Sequence, residues 1–135
     1  MWHCIDVDGN FFRLEPKSAQ GQYINVCWAG GHMTRVAMYD DKYNNSMWTV
    51  ETNAMKQEVQ AFRLPLDRPF RLRPVHDSTN VLECWCYKHN GCEMCISNHL
   101  GDSSVFTVVD FDGTWFRLQP KHAPECTINC LEGKH

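Results

Sequence analysis

A gapless internal repeat constrains this chain more than any other feature. Residues 5–26 read IDVDGNFFRLEPKSAQGQYINV and residues 109–130 read VDFDGTWFRLQPKHAPECTINC. At an offset of 104 residues, eleven of the twenty-two positions are identical: Asp6, Asp8, Gly9, Phe12, Arg13, Leu14, Pro16, Lys17, Ala19, Ile24 and Asn25 each match their counterpart. The tripeptide Phe-Arg-Leu recurs at 62–64 and again at 70–72, where the second copy also keeps its proline, Pro74. Such self-similarity indicates one supersecondary unit used at both ends, with degenerate copies between them.

Each unit reads as a β-hairpin. Asp8-Gly9 and Asp112-Gly113 are turn dipeptides flanked by alternating residues. A two-residue loop there pairs Val7 with Asn10, Asp6 with Phe11 and Ile5 with Phe12. Ile5, Val7, Phe12 and Leu14 then share one face, and Asp6 lies diagonally to Arg13 on the other. The second unit repeats this with Val109, Phe111, Phe116 and Leu118 against Asp110 and Arg117. Pro16 and Pro120 end the second strand, since proline has no N–H for a ladder. A third strand follows at 22–28 and 126–131, giving a three-stranded meander at each end. One meander buries too little apolar surface to be stable alone, so contact between the two ends is expected to close the fold.

Between the repeats, Thr34–Tyr39 and Met47–Glu51 read as strands around the polar stretch Asp40–Ser46. Residues 53–62 are the one helix candidate, with Asn53 as cap and Met55, Val59 and Phe62 at helical spacing. Pro65, Pro69 and Pro74 break any long element over 63–75. Val81–His89 and Cys92–Ser97 form a hairpin around Asn90-Gly91. The expected fold is all-β, with at most that one short helix and a closed or sandwich-like antiparallel sheet. With 135 residues the chain fits one domain, 1–135, because two halves would each be too small for an unstapled core. A net charge of −3 argues against bulk electrostatic binding of nucleic acid. Apolar runs are only a few residues long and do not span a membrane.

The eight cysteines divide into two groups. Through the repeat, Cys126 corresponds to Gln22, a more exposed position, while Cys4 corresponds to Val108, Cys27 to Leu131 and Cys130 to Val26. These last three cysteines alternate with aliphatic residues, as small buried hydrophobes do. With no basic and apolar leader at the start, this points to a reducing, cytoplasmic setting. The second group is denser: Cys84, Cys86, His89, Cys92, Cys95 and His99 lie within sixteen residues. Cys92-Glu93-Met94-Cys95 has the spacing that aims two thiolates at one zinc ion, and Cys84, Cys86, Cys92 and Cys95 are the expected ligands. Hairpin geometry offers an alternative, because an Asn90-Gly91 loop places Cys86 opposite Cys95, within reach of a cross-strand disulfide. Unlinked thiols are the third state that fits the spacing.

The same residues bear on catalysis. A thiol hydrolase or acyltransferase needs a cysteine beside a histidine base, and Cys27 or Cys130 are the candidate nucleophiles. Asn129-Cys130 together with His32 resembles the Asn-Cys and His boxes of the lecithin-retinol acyltransferase-like family. Over those three residues the resemblance implies thiol acyl transfer. No Gly-rich phosphate loop, serine-hydrolase elbow or His-Glu-X-X-His helix occurs. Asp8 and Asp112 read as turn residues, and Asp6 and Asp110 as partners of Arg13 and Arg117. Seven Phe, five Trp and four Tyr leave aromatic side chains beyond those a small core takes up. Phe11 and Trp115 fall on the strand face that carries Arg13 and Arg117, a surface suited to a partner's side chains, or to stacking on bases or sugars. The expected function is a small non-enzymatic module that binds a protein partner, with structural zinc as cofactor. The thiol enzyme and single-stranded nucleic-acid or glycan binding are the alternatives.

Overall fold

In the computed structural model the described residues are 1–8, 11–27, 31–40, 42–51, 64–84 and 94–128. They form ten strands: β1 (Trp2–Asp8), β2 (Phe11–Pro16), β3 (Tyr23–Val26), β4 (Thr34–Tyr39), β5 (Trp48–Glu51), β6 (Arg71–Pro74), β7 (Val81–Cys84), β8 (Met94–Ser97), β9 (Phe106–Val109) and β10 (Arg117–Pro120). Four 3-10 turns lie between them, at Lys17–Ala19, Asn44–Ser46, Val75–Asp77 and Asp102–Ser104. The described residues are thus all-β, and every paired strand is antiparallel. The helix expected at 53–62 lies outside the described residues.

The repeat occurs three times. Four elements following β6 begin 58 residues after their counterparts following β2, Lys17 and Val75, Tyr23 and Val81, Asn44 and Asp102, Trp48 and Phe106, and β8 ends 58 residues after β4. The Phe-Arg-Leu copy at Phe70 therefore opens a second lobe. Lobe 1 runs from β2 to β5 and lobe 2 from β6 to β9. Lobe 3 begins at β10 and takes β1, from the other end of the chain, as its closing strand.

Six strands make a closed ring. Strands β1, β2, β5 and β6 form one sheet, β9 pairs with β10, and two bridges complete the circuit, Phe70 with Phe106 and Trp2 with Phe116. Both bridges are reciprocal hydrogen bonds of 2.7–2.9 Å. Within lobe 1 the equivalent contact is Phe12 with Trp48. Each lobe is thus closed by an aromatic pair, and all six rings are at most 2% exposed. Burying such a ring stabilises by about 1.5–3 kcal/mol. Leu14, Leu72 and Leu118, two residues after each lobe's phenylalanine, are fully buried below them. Pro16, Pro74 and Pro120 end the first strand of each lobe. The next N–H in each case leaves that ladder and donates to the residue before a closing aromatic: Lys17 to Met1, Val75 to Met47 and Lys121 to Val105.

Strands β3, β4, β8 and β7 form a second sheet that caps the ring. Ile24, Val26, Leu82, Cys84, Ile96 and Ile128 join the ring's aromatics in one core. Two tryptophans tie ring to cap: Trp48 Nε1 donates to the Ile24 carbonyl at 3.1 Å, and Trp2 Nε1 to Ile128 at 2.9 Å. The expected meeting of the chain's two ends is therefore built into the ring and the core. The third strand of the first meander, β3, turns away from β2 and pairs with β4. Its counterpart at 126–128 carries no strand, and 129–131 lie outside the described residues.

Two registers differ from expectation. Ile5 pairs with Arg13 rather than Phe12, and Asp8 with Phe11, with an irregularity between them. The extra residue is absorbed near Asp6, whose φ is +51°; Asp110 repeats it at +54°, and Val109 pairs with Arg117. Aspartate tolerates this left-handed conformation better than most residues. The bulge turns Val7 outward, where it is 37% exposed instead of sharing the face of Phe12. In the β7–β8 hairpin, Cys95 lies opposite Glu83 and Met94 opposite Cys84, so Cys86 is not the residue that faces Cys95. The cap decides this register: it is the one that sets Leu82 across from Ile96, both nearly inaccessible.

Candidate functional site

The four side chains expected to bind a partner, Phe11, Arg13, Trp115 and Arg117, serve different ends. Arg13 is a clamp. Its Nε donates to Ser46 Oγ at 2.7 Å, its Nη1 to Asp6 Oδ2 at 3.2 Å, and its Nη2 to the Lys42 carbonyl at 2.7 Å. In lobe 2, Arg71 does the same, with Nε on Ser104 at 3.0 Å and Nη2 on the Leu100 carbonyl at 2.8 Å. Each serine hydroxyl in turn donates to the carbonyl three residues earlier. The arginine thereby binds the 3-10 turn before β5 or β9 to the first strand of its lobe. Among the described residues Arg117 makes the carboxylate contact alone, to Asp110 at 3.3 Å, and its side chain stays 43% exposed.

Trp115 lies over the junction of lobes 3 and 1. The His3 ring packs on it at 4.0 Å between centroids, and Lys17 Nζ sits 5.7 Å from its centre. His3 Nε2 meets Glu15 Oε1 at 2.5 Å, while Glu15 Oε2 accepts the Gly21 N–H at 2.8 Å. The turn before Trp115 is closed by Asp112, whose Oδ1 accepts the N–H groups of Trp115 and Thr114 at 2.8 and 2.9 Å. Those two bonds, Trp115's first, hold the Asp112 carboxyl below its usual pKa.

Phe11 remains 40% exposed on the outer face of β2, which it shares with Arg13. Arg13 leads to a group that the sequence reading did not single out. Tyr23 and Tyr39 are directly opposed on β3 and β4, Lys42 Nζ lies 5.3 Å from the Tyr23 ring centre, and Tyr43 projects at 69% exposure. Lys42 also pairs with Asp6 at 3.0 Å, and that hydrogen bond raises its pKa. Clustering of three tyrosines and a lysine within 23–43 was visible in the sequence. The Arg13 clamp holds the Lys42–Tyr43 backbone against β2.

Among the cysteines, Cys84 and Cys95 are both buried, while Cys86 and Cys92 lie outside the described residues. Cys84 lies against Met94, with Sγ and Sδ 3.4 Å apart. Because Cys95 follows Met94 along β8, the pleat directs it to the opposite face from the Cys84–Met94 pair. Among the described residues no group of three His, Cys, Asp or Glu side chains gathers as a metal site, and no disulfide is formed. Cys27 is 4% exposed, and Cys130 and Asn129 lie outside the described residues. His32, the third residue of the acyltransferase-like resemblance, accepts the Asn98 N–H and sits 6.4 Å from the His99 ring. Beside them Glu83 is a buried carboxylate. Ser97 and Ser103 each donate a hydroxyl to it, and His99 Nδ1 stands 3.8 Å away.

No protein family matches the chain, and no curated protein is similar to it. Its fold is shared with solved structures. One is the designed threefold-symmetric protein ThreeFoil, at a TM-score of 0.70 and 16% identity over 85% of this chain and 75% of that one. Another is a mosquitocidal holotoxin, at a TM-score of 0.70 and 9% identity over 95% of this chain; the match spans 14% of the toxin chain. At such identities the likeness concerns the fold, which is β-trefoil-like: three lobes around a pseudo-threefold axis, as the repeat and the ring require.

Proposed function

We propose that the chain is a non-enzymatic binding module that recognises a protein partner through the aromatic face of lobe 1. The observation carrying this reading is the distribution of exposed apolar side chains. Of the seven large ones among the described residues, five fall between residues 7 and 43: Val7, Phe11, Met33, Tyr39 and Tyr43. Exposed tyrosine and phenylalanine side chains have the character of an interface centre, with large apolar area, few rotatable bonds and, for tyrosine, a polar tip. Stacking of bases or sugars is less well served. Arg13 is engaged by Asp6, Ser46 and backbone carbonyls, and Trp115 is taken up by His3 and Lys17. The same reading places the protein in a reducing, cytoplasmic setting that keeps its thiols reduced. Structural zinc at Cys84, Cys86, Cys92 and Cys95 is a competing use of the Cys84 thiol; because the pleat sends Cys84 and Cys95 to opposite faces, it requires the ends of β7 and β8 to rearrange, and a chelator-dependent fall in the Tm of reduced, zinc-loaded protein would support it.

The test is to pan a displayed peptide library on the folded protein and titrate the recovered peptides. Phe11→Ala with Tyr43→Ala is expected to weaken them at least tenfold, and Trp115→Ala to leave them unchanged. Binding of an oligonucleotide or glycan that is lost in Trp115→Ala with Arg117→Ala but kept in the lobe 1 variant would replace this reading.

A further inference from the structure

Lobes 1 and 2 share the register of their cap hairpins position for position. Tyr23 faces Tyr39 where Val81 faces Ser97, Ile24 faces Met38 where Leu82 faces Ile96, and Asn25 faces Ala37 where Glu83 faces Cys95. At the end of the hairpin Val26 faces Val36 in lobe 1, and Cys84 faces Met94 in lobe 2. Two aliphatic side chains suffice for packing there, since Val26 is fully buried. Lobe 2 fills the same place with two sulfurs in contact, 3.4 Å apart. Cys84 is 8% exposed at the last residue of β7, and Met94 is half-buried at the first residue of β8.

We propose that Cys84 and Met94 form a binding site for a soft monovalent metal ion, Cu(I). Thioether sulfur is a ligand for Cu(I), whereas zinc draws on thiolate, imidazole and carboxylate. Charge favours the same ion. Cys84 loses its thiol proton to solvent, and the thiolate and Cu(I) together are neutral, which a buried position tolerates. A divalent ion on one thiolate would leave a net positive charge there. The Met94 sulfur donates a lone pair to complete the pair of bonds, with no change of oxidation state. Its three rotatable bonds allow the two sulfurs to part and admit the ion. The site is separate from the aromatic face of lobe 1 and does not depend on it.

The experiment is an anaerobic Cu(I) titration of the reduced full-length protein against a chromophoric Cu(I) chelator, with Zn(II) titrated in parallel. Met94→Leu conserves volume and keeps the hairpin packed, and circular dichroism checks that it does. One tight Cu(I) equivalent is expected, weakened at least tenfold in Met94→Leu, lost in Cys84→Ser and unchanged in Cys126→Ser. Absence of stoichiometric Cu(I) uptake overturns the proposal. Tight binding that Met94→Leu leaves intact also overturns it, because the thioether is then no ligand. Preferential zinc uptake insensitive to Met94→Leu overturns it in favour of a thiolate site.

Discussion

Lobes 1 and 2 are one backbone carrying two different interiors. Their strands, 3-10 turns, closing aromatics and arginine clamps coincide at a constant offset. The cap is where they part. Asn25 is buried and donates to the Tyr23 carbonyl of its own strand at 3.0 Å and to the Tyr39 carbonyl of the paired strand β4 at 3.5 Å, both within the hairpin. Glu83, in the same place, draws hydroxyls from β8 and from the 3-10 turn before β9, and so binds three segments together. The connections differ as well. Trp48 and Phe70 are 22 positions apart, where Trp2 and Phe12, like Phe106 and Phe116, are 10 apart. The extra length falls between β5 and β6, which still pair directly in the ring. A closed ring with three repeated seams holds its geometry, while cap fillings and connections vary on it.

The largest effect should come from the seams, and it should be equal in the two lobes. Phe12→Ala and Phe70→Ala are each expected to cost about 3–5 kcal/mol in denaturant unfolding. Values that differ by more than about 1 kcal/mol, beyond ordinary context dependence at equivalent sites, would break the equivalence. The clamps come next. Arg13→Ala and Arg71→Ala each remove the donors to a serine hydroxyl and a backbone carbonyl, for about 1.5–3 kcal/mol. Arg117→Ala removes one exposed ion pair and should cost less than about 1 kcal/mol. Equal losses at all three positions would mean that the serine and carbonyl contacts carry no weight.

A smaller change would sharpen the comparison. Trp48→Phe gives lobe 1 the aromatic type that lobe 2 has at Phe106 and removes the bond to the Ile24 carbonyl. A loss of about 0.5–1.5 kcal/mol is expected from that bond, to which the smaller ring's unfilled volume adds. The smallest effect lies in lobe 3, at the Asp112 turn. A carboxyl held below its unfolded value stabilises above that value, near pH 4, and the contribution fades as pH falls through the folded one. Asp112→Ala should therefore lower Tm at pH 6 and flatten its decline between about pH 4 and pH 2. A parallel shift across the whole range would assign the effect to the turn's shape instead.

Much of this was readable from residues alone, and the reason is local. The Asp-Gly turns, alternating strands and terminal prolines act over a few residues, so strands β4, β5 and the β1–β2 hairpin fall where expected. The Asp6–Arg13 and Asp110–Arg117 pairs follow from the same strand geometry. The bulge at Asp6 was missed because a turn dipeptide constrains a loop but not where a strand absorbs an extra residue. The Cys95 partner was missed for a comparable reason. Register in β7–β8 is governed by the buried pair Leu82 and Ile96 inside the cap, and the nearest turn signal does not control it.

Repetition, the all-β class and the closure of one end of the chain on the other were thus determined by the sequence itself, because repeated units with one apolar face each must share a core. Only the tertiary structure decided that there are three lobes rather than two. The middle copy keeps little beyond Phe70, Arg71, Leu72 and Pro74, the few residues that the seam and clamp need. It likewise decided that Arg13 is structural while Tyr39 and Tyr43 are exposed, and that Cys84 meets Met94. Those outcomes depend on which distant strand lies alongside, which the packing of the whole ring and cap settles.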